Sequence, residues 1–233
     1  MATAPPLVEK MLDLARVEPH DYLIDLGSGD GRTVIAAARR GATALGIEYN
    51  ADLVALAQRN AAAQGVSGTA RFVQADLFQA DLSNATVITM FLLRSINVQL
   101  RSKILALPVG TRIVSNTFDM EAWEPDATAA IPDCTKYCRA LLWIVPARVA
   151  GPWRLMPPAD VSLIQTYQIL SGTFASGGAG SSTPILNGRV RGSDIAFEAG
   201  GRRYTGRVNA KTMEGTFTSG QSESIWRAVR TDR

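Results

Sequence analysis

Asp21-Tyr22-Leu23-Ile24-Asp25-Leu26-Gly27-Ser28-Gly29-Asp30-Gly31-Arg32, followed by Leu45-Gly46-Ile47-Glu48, decides the fold of this 233-residue chain. An apolar strand runs into a glycine-rich turn that opens a helix. A second apolar strand then ends on a carboxylate, Glu48. This is the layout of a nucleotide-type cofactor cradle at the carboxyl edge of a parallel sheet. Gly27, Gly29 and Gly31 lack a Cβ, so they can take positive φ and let backbone N–H groups come close to a ligand.

The spacing is Gly-x-Gly-x-Gly, not the Gly-x-Gly-x-x-Gly of the dinucleotide fingerprint. Asp25 also stands just ahead of the turn, where a carboxylate repels a pyrophosphate. Both features favour a cationic ligand. S-adenosylmethionine carries an ammonium and a sulfonium, so Asp25 and the turn suit its methionyl end, and Glu48 can accept from a ribose diol. A third acid, Asp76 in Gln74-Ala75-Asp76-Leu77-Phe78, follows a third predicted strand. There it can accept from an adenine amino group while Leu77 packs on the ring. The competing reading of each acid is a helix cap.

Strand and helix patterns alternate over residues 21–117: strands at 21–26, 42–48, 69–74, 85–91 and 110–117, helices at 31–40, 51–64 and 95–106. A lead helix begins after Pro5-Pro6. Alternation of this kind predicts a parallel α/β sheet with helices on both faces. Residues 119–133 read as a long loop, and Tyr137–Val145 as a strand closing the sheet edge.

After Gly151-Pro152 the composition changes: residues 151–233 hold 12 of the 20 glycines and show no helical period. Strands are predicted at 161–170, 185–190, 194–198, 203–208, 211–217 and 224–229, with turns at Asn187-Gly188, Gly200-Gly201 and Asn209-Ala210. Ser176-Gly-Gly-Ala-Gly-Ser-Ser182 reads as a flexible loop. The expected organisation is a cofactor-binding domain, 1–150, and an antiparallel β-meander, lipocalin-like, over 151–233. That second part can cover the active site, recognise the acceptor or mediate association, and exposed meander edges favour a homodimer.

Net charge is +3, distributed as −1 over residues 1–150 and +4 over 151–233. The arginines at 189, 191, 202, 203 and 207 lack the interleaved aromatics of a single-strand-binding surface. They read as solvated strand faces, and no nucleic-acid partner is expected. Cys134 and Cys138 have neither a second pair nor a nearby histidine, so no metal site is expected and both read as reduced core thiols. The four tryptophans read as packing residues, and His20 as a surface residue. No apolar run has the length of a membrane span. Cofactor supply favours the cytoplasm, and the start at Thr3-Ala-Pro-Pro6 leaves room for a leader.

Asp25-Leu-Gly-Ser-Gly-Asp-Gly-Arg32, Gly46-Ile-Glu48, Asp76-Leu-Phe78, Phe91-Leu-Leu93 and Gly110-Thr-Arg-Ile-Val-Ser115 together resemble the class I S-adenosylmethionine-dependent methyltransferases. Within them the likeness is to the archaeal broad-specificity and mitochondrial ATP synthase c-subunit protein lysine methyltransferases. The resemblance covers the first two thirds of the chain. It implies a Rossmann-like sheet, S-adenosyl-L-methionine as cofactor, and a cofactor site of Thr3, Asp25, Gly27, Ser28, Gly29, Gly31, Glu48, Tyr49, Asp76 and Leu77. Phe91 and Asn116 are the acceptor-side candidates, where the family carries Tyr and His. The acceptor is a protein lysine or a small molecule with N, O or S nucleophile; the third reading is a cofactor-binding protein without catalysis. No Asn/Asp-Pro-Pro-Tyr element follows the fourth strand, which argues against adenine methylation.

Overall fold

A computed structural model describes residues 2–176 and 182–231. The chain divides into two compact units, Met1–Val145 and Pro146–Arg233.

In the first unit, α1 (Pro5–Leu14) precedes β1 (Tyr22–Leu26), α2 (Arg32–Arg39), β2 (Thr43–Glu48), α3 (Ala51–Ala63) and β3 (Ala70–Gln74). Then come β4 (Val87–Met90), α4 (Arg94–Leu105), β5 (Arg112–Asn116), β6 (Ala127–Ala130) and β7 (Arg139–Ile144). The sheet order is β3-β2-β1-β4-β5-β7-β6, parallel through β5 and antiparallel beyond it. Order reverses between β1 and its neighbours β2 and β4, and ligands bind at such a switch point. Leu23, Val87 and Val114 of the strands are buried against Leu7, Met11, Val34 and Ala37 of α1 and α2. The sheet edge differs from expectation. Ala127–Ala130, inside the predicted 119–133 loop, is the edge strand, and β7 lies one place in from it.

Cys134 and Cys138 correct another expectation: they form a disulfide, S–S 2.01 Å, across the turn that joins β6 and β7. Neither is in the core; both are half-buried. A separation of four residues permits the Cα–Cα distance of 5.7 Å seen here because the chain doubles back between two antiparallel strands.

The second unit holds β8 (Gly151–Met156), β9 (Ala159–Thr166), β10 (Ile169–Ser176), β11 (Ser182–Pro184), β12 (Leu186–Arg191), β13 (Asp194–Ala199), β14 (Arg202–Asn209), β15 (Thr212–Ser219) and β16 (Ser222–Arg230). Each pairs antiparallel with its neighbours; β16 returns to β8, and β9 pairs with β10. The meander therefore closes into a barrel. Closure leaves less open edge than a meander would have: among the described residues, short β11 (Ser182–Pro184) pairs with β10 alone. Phe174, Phe197, Tyr204, Phe217 and Trp226 are buried in mutual ring contact, so the interior is a packed core and not a ligand cup.

The predicted strand 161–170 is two strands with a turn at Tyr167-Gln168. Asn187-Gly188 is not a hairpin turn but an irregularity within β12, where the register shifts between Leu186 and Arg189. A Cβ on Gly188 would lie 2.5 Å from the Leu170 carbonyl oxygen, so glycine there serves close strand approach. Most of the predicted Gly/Ser loop, residues 177–181, lies outside the described residues. All four tryptophans are buried: Trp123 and Trp143 in the first unit, Trp153 and Trp226 in the second.

Candidate functional site

Asp25 is the fourth residue of β1, and parallel register sets it opposite Gly46 of β2 and Thr89 of β4. It is 6% exposed. The Thr89 hydroxyl donates to its Oδ1 at 2.6 Å. Among the described residues it forms no ion pair. Burial pushes this carboxyl up to about 7; the charges of Glu48 and Asp30 act in the same direction, against the hydrogen bond from Thr89. A buried carboxylate with no countercharge is costly to keep, so the position calls for a cation supplied from outside.

The glycine turn confirms the backbone expectation and corrects the donor expectation. Gly27, Gly29 and Gly31 have φ of 74°, 54° and 83°. Their N–H groups, however, face inward. Gly27 and Ser28 donate to the Ile47 carbonyl at 2.9 and 3.1 Å, Gly29 to Glu48 Oε2 at 2.9 Å, and Gly31 to the Ser28 carbonyl at 2.9 Å. A phosphate cradle needs such donors pointing outward. With the first three tied to β2 and that of Gly31 to the turn itself, these residues offer a ligand the neighbouring carboxylates instead.

Gly31 has a different task from its two neighbours. A Cβ there would meet the Phe72 ring at 2.7 Å and Ala57 at 2.8 Å, whereas one at Gly29 meets nothing within 4 Å. Gly31 lets α2 start against β3 and α3; Gly29 leaves space on the cleft side.

The cleft beneath the turn is lined by Thr3, Asp25, Gly27, Ser28, Gly29 and Phe91, among others. Six of the expected site residues thus meet in one place. Glu48 joins them through Gly29, and its other oxygen accepts from Asn50 N–H at 3.0 Å. Each carboxylate oxygen retains acceptor capacity for a diol. Asp76 and Leu77 follow β3, on the carboxyl side of the same sheet but outside this cleft lining; Asp76 Oδ1 caps the Phe78 N–H at 2.8 Å. Tyr49 is 78% exposed.

Thr3 is buried and doubly held. Its carbonyl accepts from Arg32 Nη1 at 2.9 Å, and its hydroxyl is 3.1 Å from Asn116 Nδ2. Arg32 is itself fixed by Asp30, and this hydrogen-bonded partner holds the Asp30 carboxyl below its ordinary range. At the end of β5, Asn116 is fully buried and its Oδ1 accepts no hydrogen bond. Phe91, one residue past β4, is half-buried against Phe118 and Tyr137.

Sequence reasoning missed Thr89, Arg32, Phe118 and Tyr137. Thr89 carried a usable signal, a hydroxyl inside the otherwise apolar Val87–Met90 strand. The rings at 118 and 137 had none, because they come from separate segments.

S-adenosylmethionine fits this set. Its cationic methionyl end suits a buried unpaired Asp25 and a turn whose glycine N–H groups are already used, and its ribose suits the remaining lone pairs of Glu48. Cofactor affinity is expected to be level above pH 7 and to fall by about tenfold per pH unit below it, as Asp25 takes up a proton and loses its attraction for the ammonium. Calorimetric titration between pH 5.5 and 8.5 measures this; a flat profile would separate Asp25 from the ligand's charge.

The family model described as the ANTKMT methyltransferase domain matches residues 25–127. The protein-lysine N-methyltransferase of Saccharolobus islandicus is 36% identical over 146 residues, 61% of this chain and 91% of that relative. The adenine nucleotide translocase lysine N-methyltransferase of Mus musculus is 40% identical over 122 residues; the chain spans about half of that protein, 53%. Among solved structures, an RNA methyltransferase from Salinibacter ruber in complex with S-adenosyl-L-homocysteine is 45% identical, with a TM-score of 0.61. The match covers 64% of this chain and 96% of that one. With the acid-lined turn, the inward donors and a relative matched over nearly its whole length, the chain belongs to the family of S-adenosylmethionine-dependent protein-lysine N-methyltransferases.

Proposed function

We propose that this enzyme methylates the side-chain amine of a protein lysine, using the cleft below the β1 turn. The observation that carries the reading is the 36% identity maintained across 91% of the archaeal lysine methyltransferase. Asp25 and the 27–31 turn bind the methionyl end of the cofactor, Glu48 the ribose, and Asp76 with Leu77 the adenine. The Thr3 segment, held by Arg32 and Asn116, closes over the pocket and keeps water out.

The chemistry the cofactor supplies is an electrophilic methyl carbon on a sulfonium. The acceptor must therefore present a free lone pair, in line with the bond that breaks. A lysine ammonium has to give up its proton first, and desolvation in a half-buried cleft lowers its pKa. The chain's own contribution at this step is Asn116. Its unpartnered Oδ1 accepts an N–H of the amine and turns the lone pair toward the methyl group, without taking the proton itself. Asn116→Ala is expected to lower kcat by about tenfold to a hundredfold, the cost of an unmade buried hydrogen bond, while cofactor Kd changes by less than about threefold. Equal losses in both would assign Asn116 to holding Thr3 alone.

A lysate labelled with methyl-tritiated cofactor tests the class of acceptor. Label in protein, recovered as methyl-lysine on acid hydrolysis, supports the reading. A second reading, an RNA acceptor, is favoured by the likeness to the Salinibacter RNA methyltransferase; label removed by ribonuclease would establish it. Label in the small-molecule fraction would point to a metabolite. Cofactor supply argues for the cytoplasm as the compartment, and among the described residues no helix is long and apolar enough to cross a membrane.

A further inference from the structure

Three rings come together beside the cofactor cleft from three separate segments. Phe91 follows β4, Phe118 follows β5, and Tyr137 sits in the turn between β6 and β7. Tyr137 meets Phe91 edge-on with centroids 5.1 Å apart, Phe118 stacks on Phe91 at 6.0 Å, and Phe118 and Tyr137 are 5.9 Å apart. Rings that only fill a core are fully buried, as Trp123 and Trp143 are in this same unit. These three are all half-buried, so each keeps part of its surface open.

The backbone is set to present them. Tyr137 has φ 58°, a left-handed conformation that is unfavourable for a bulky residue, and Thr117, the residue before Phe118, has φ 62°. Something must hold Tyr137 there. The disulfide does so, since Cys134 and Cys138 enclose a loop of which Tyr137 is the last residue. On the other side, Asn97, fully buried in α4, donates to the Phe118 and Asp119 carbonyls at 3.0 and 3.3 Å and anchors the Phe118 turn. The Tyr137 face also already accommodates an ammonium: Lys136 Nζ stands 5.3 Å from its centroid.

We propose that Phe91, Phe118 and Tyr137 form the wall that receives the acceptor's alkylammonium side chain, with the Cys134–Cys138 disulfide as the clip that keeps Tyr137 in it. The proposal rests on the amine-acceptor reading above. An aromatic wall matches both ends of a lysine side chain: ring edges pack its methylenes, and the π faces attract the cation. It also favours successive methylammonium products, which remain cationic while becoming less hydrated. The clip makes recognition responsive to thiols. A dithiol reductant gives two electrons and two protons to the Cys134–Cys138 bond and leaves as its own cyclic disulfide, and the freed loop lets Tyr137 relax out of its left-handed backbone.

The test uses the full chain saturated with S-adenosylhomocysteine and titrated by nuclear magnetic resonance with N-acetyl-lysine methylamide and, separately, with its neutral norleucine counterpart. Expected are lysine-probe binding that shifts the ring protons of Tyr137 and about tenfold weaker binding of the norleucine probe. Tyr137→Ala is expected to weaken the lysine probe about tenfold, and Tyr137→Phe by less than about twofold, because the ring and not the hydroxyl makes the contact. Affinity for S-adenosylhomocysteine should be unchanged in both, a readout that a merely structural ring would move. Dithiothreitol and the Cys134→Ser/Cys138→Ser double variant should each weaken the lysine probe, with no further effect of dithiothreitol on the variant. Equal binding of both probes, or an unaffected Tyr137→Ala, overturns the ring wall. In that case methyl-lysine in the labelled lysate would leave the lysine reading intact. Charge-selective probe binding together with a lysate that shows no methyl-lysine supports the amine wall and overturns only the protein acceptor.

Discussion

Asp25→Asn is expected to abolish measurable cofactor binding while making the ligand-free protein more stable at pH 8. The two effects have one origin. In the folded chain burial, reinforced by Glu48 and Asp30, raises this carboxyl from 3.8 to about 7. A gap of that size corresponds to roughly 4 kcal/mol of destabilisation when the group is ionised. The sign follows from a folded pKa that lies above the unfolded one. The stability this carboxyl allows is fully present below pH 3.8 and is lost as pH rises toward 7. Asparagine keeps an oxygen for the Thr89 hydroxyl and never ionises. Its apo melting temperature at pH 8 should rise by about 8–16 °C, and the part of the pH dependence due to Asp25 should vanish. Cofactor Kd should rise by at least about a hundredfold, the loss of a desolvated charge pair. Scanning calorimetry with calorimetric titration reads both. A variant that melts lower and still binds would show that Asp25 is a structural acid and that the cationic end of the ligand sits elsewhere.

The second large effect separates two glycines two residues apart. Gly31→Ala should lower the melting temperature of the cofactor-binding unit by about 6–12 °C. The added methyl group must occupy space held by Phe72 and Ala57 on a left-handed backbone, costing about 3 kcal/mol in total. Gly29→Ala meets open space at φ 54° and should cost about 1 kcal/mol, yet Gly29 lines the cleft, so an added methyl group there competes with the ligand for room. Affinity should therefore fall more for the alanine at 29 and stability more for the alanine at 31. If both variants lose stability and affinity in the same proportion, the division of labour within the turn is wrong.

The first five strands and the acid at the end of the first were legible because their signals are local. Leu23–Leu26 and Val87–Met90 are runs apolar but for Asp25 and Thr89, bounded by turn residues, and a parallel sheet buried on both faces requires such runs. The donor arrangement of the turn was not legible. Whether the N–H groups of residues 27–31 face a ligand or β2 depends on a tertiary choice that glycine allows in either direction. Edge strand β6 was hidden because Ala127-Thr-Ala-Ala130 has neither apolar alternation nor β-branched enrichment; it is a strand only because β7 offers it a partner. The disulfide was hidden for a related reason, since the spacing of two cysteines leaves open whether the chain reverses between them. In the second unit, glycine frequency revealed the meander but not its closure, which depends on ladders between β8 and β16 and between β9 and β10.

That closure makes the second unit self-contained along its strand ladders. Its first and last strands are hydrogen-bonded neighbours, with Trp153 paired to Arg230 and Thr231 N–H reaching the Pro152 carbonyl at 3.1 Å. Entry and exit of the polypeptide thus lie side by side, as in a bead on a string. A module built this way can be grafted into another chain, or rewired with new ends at the Gly200-Gly201 turn, without exposing a raw ladder to the solvent.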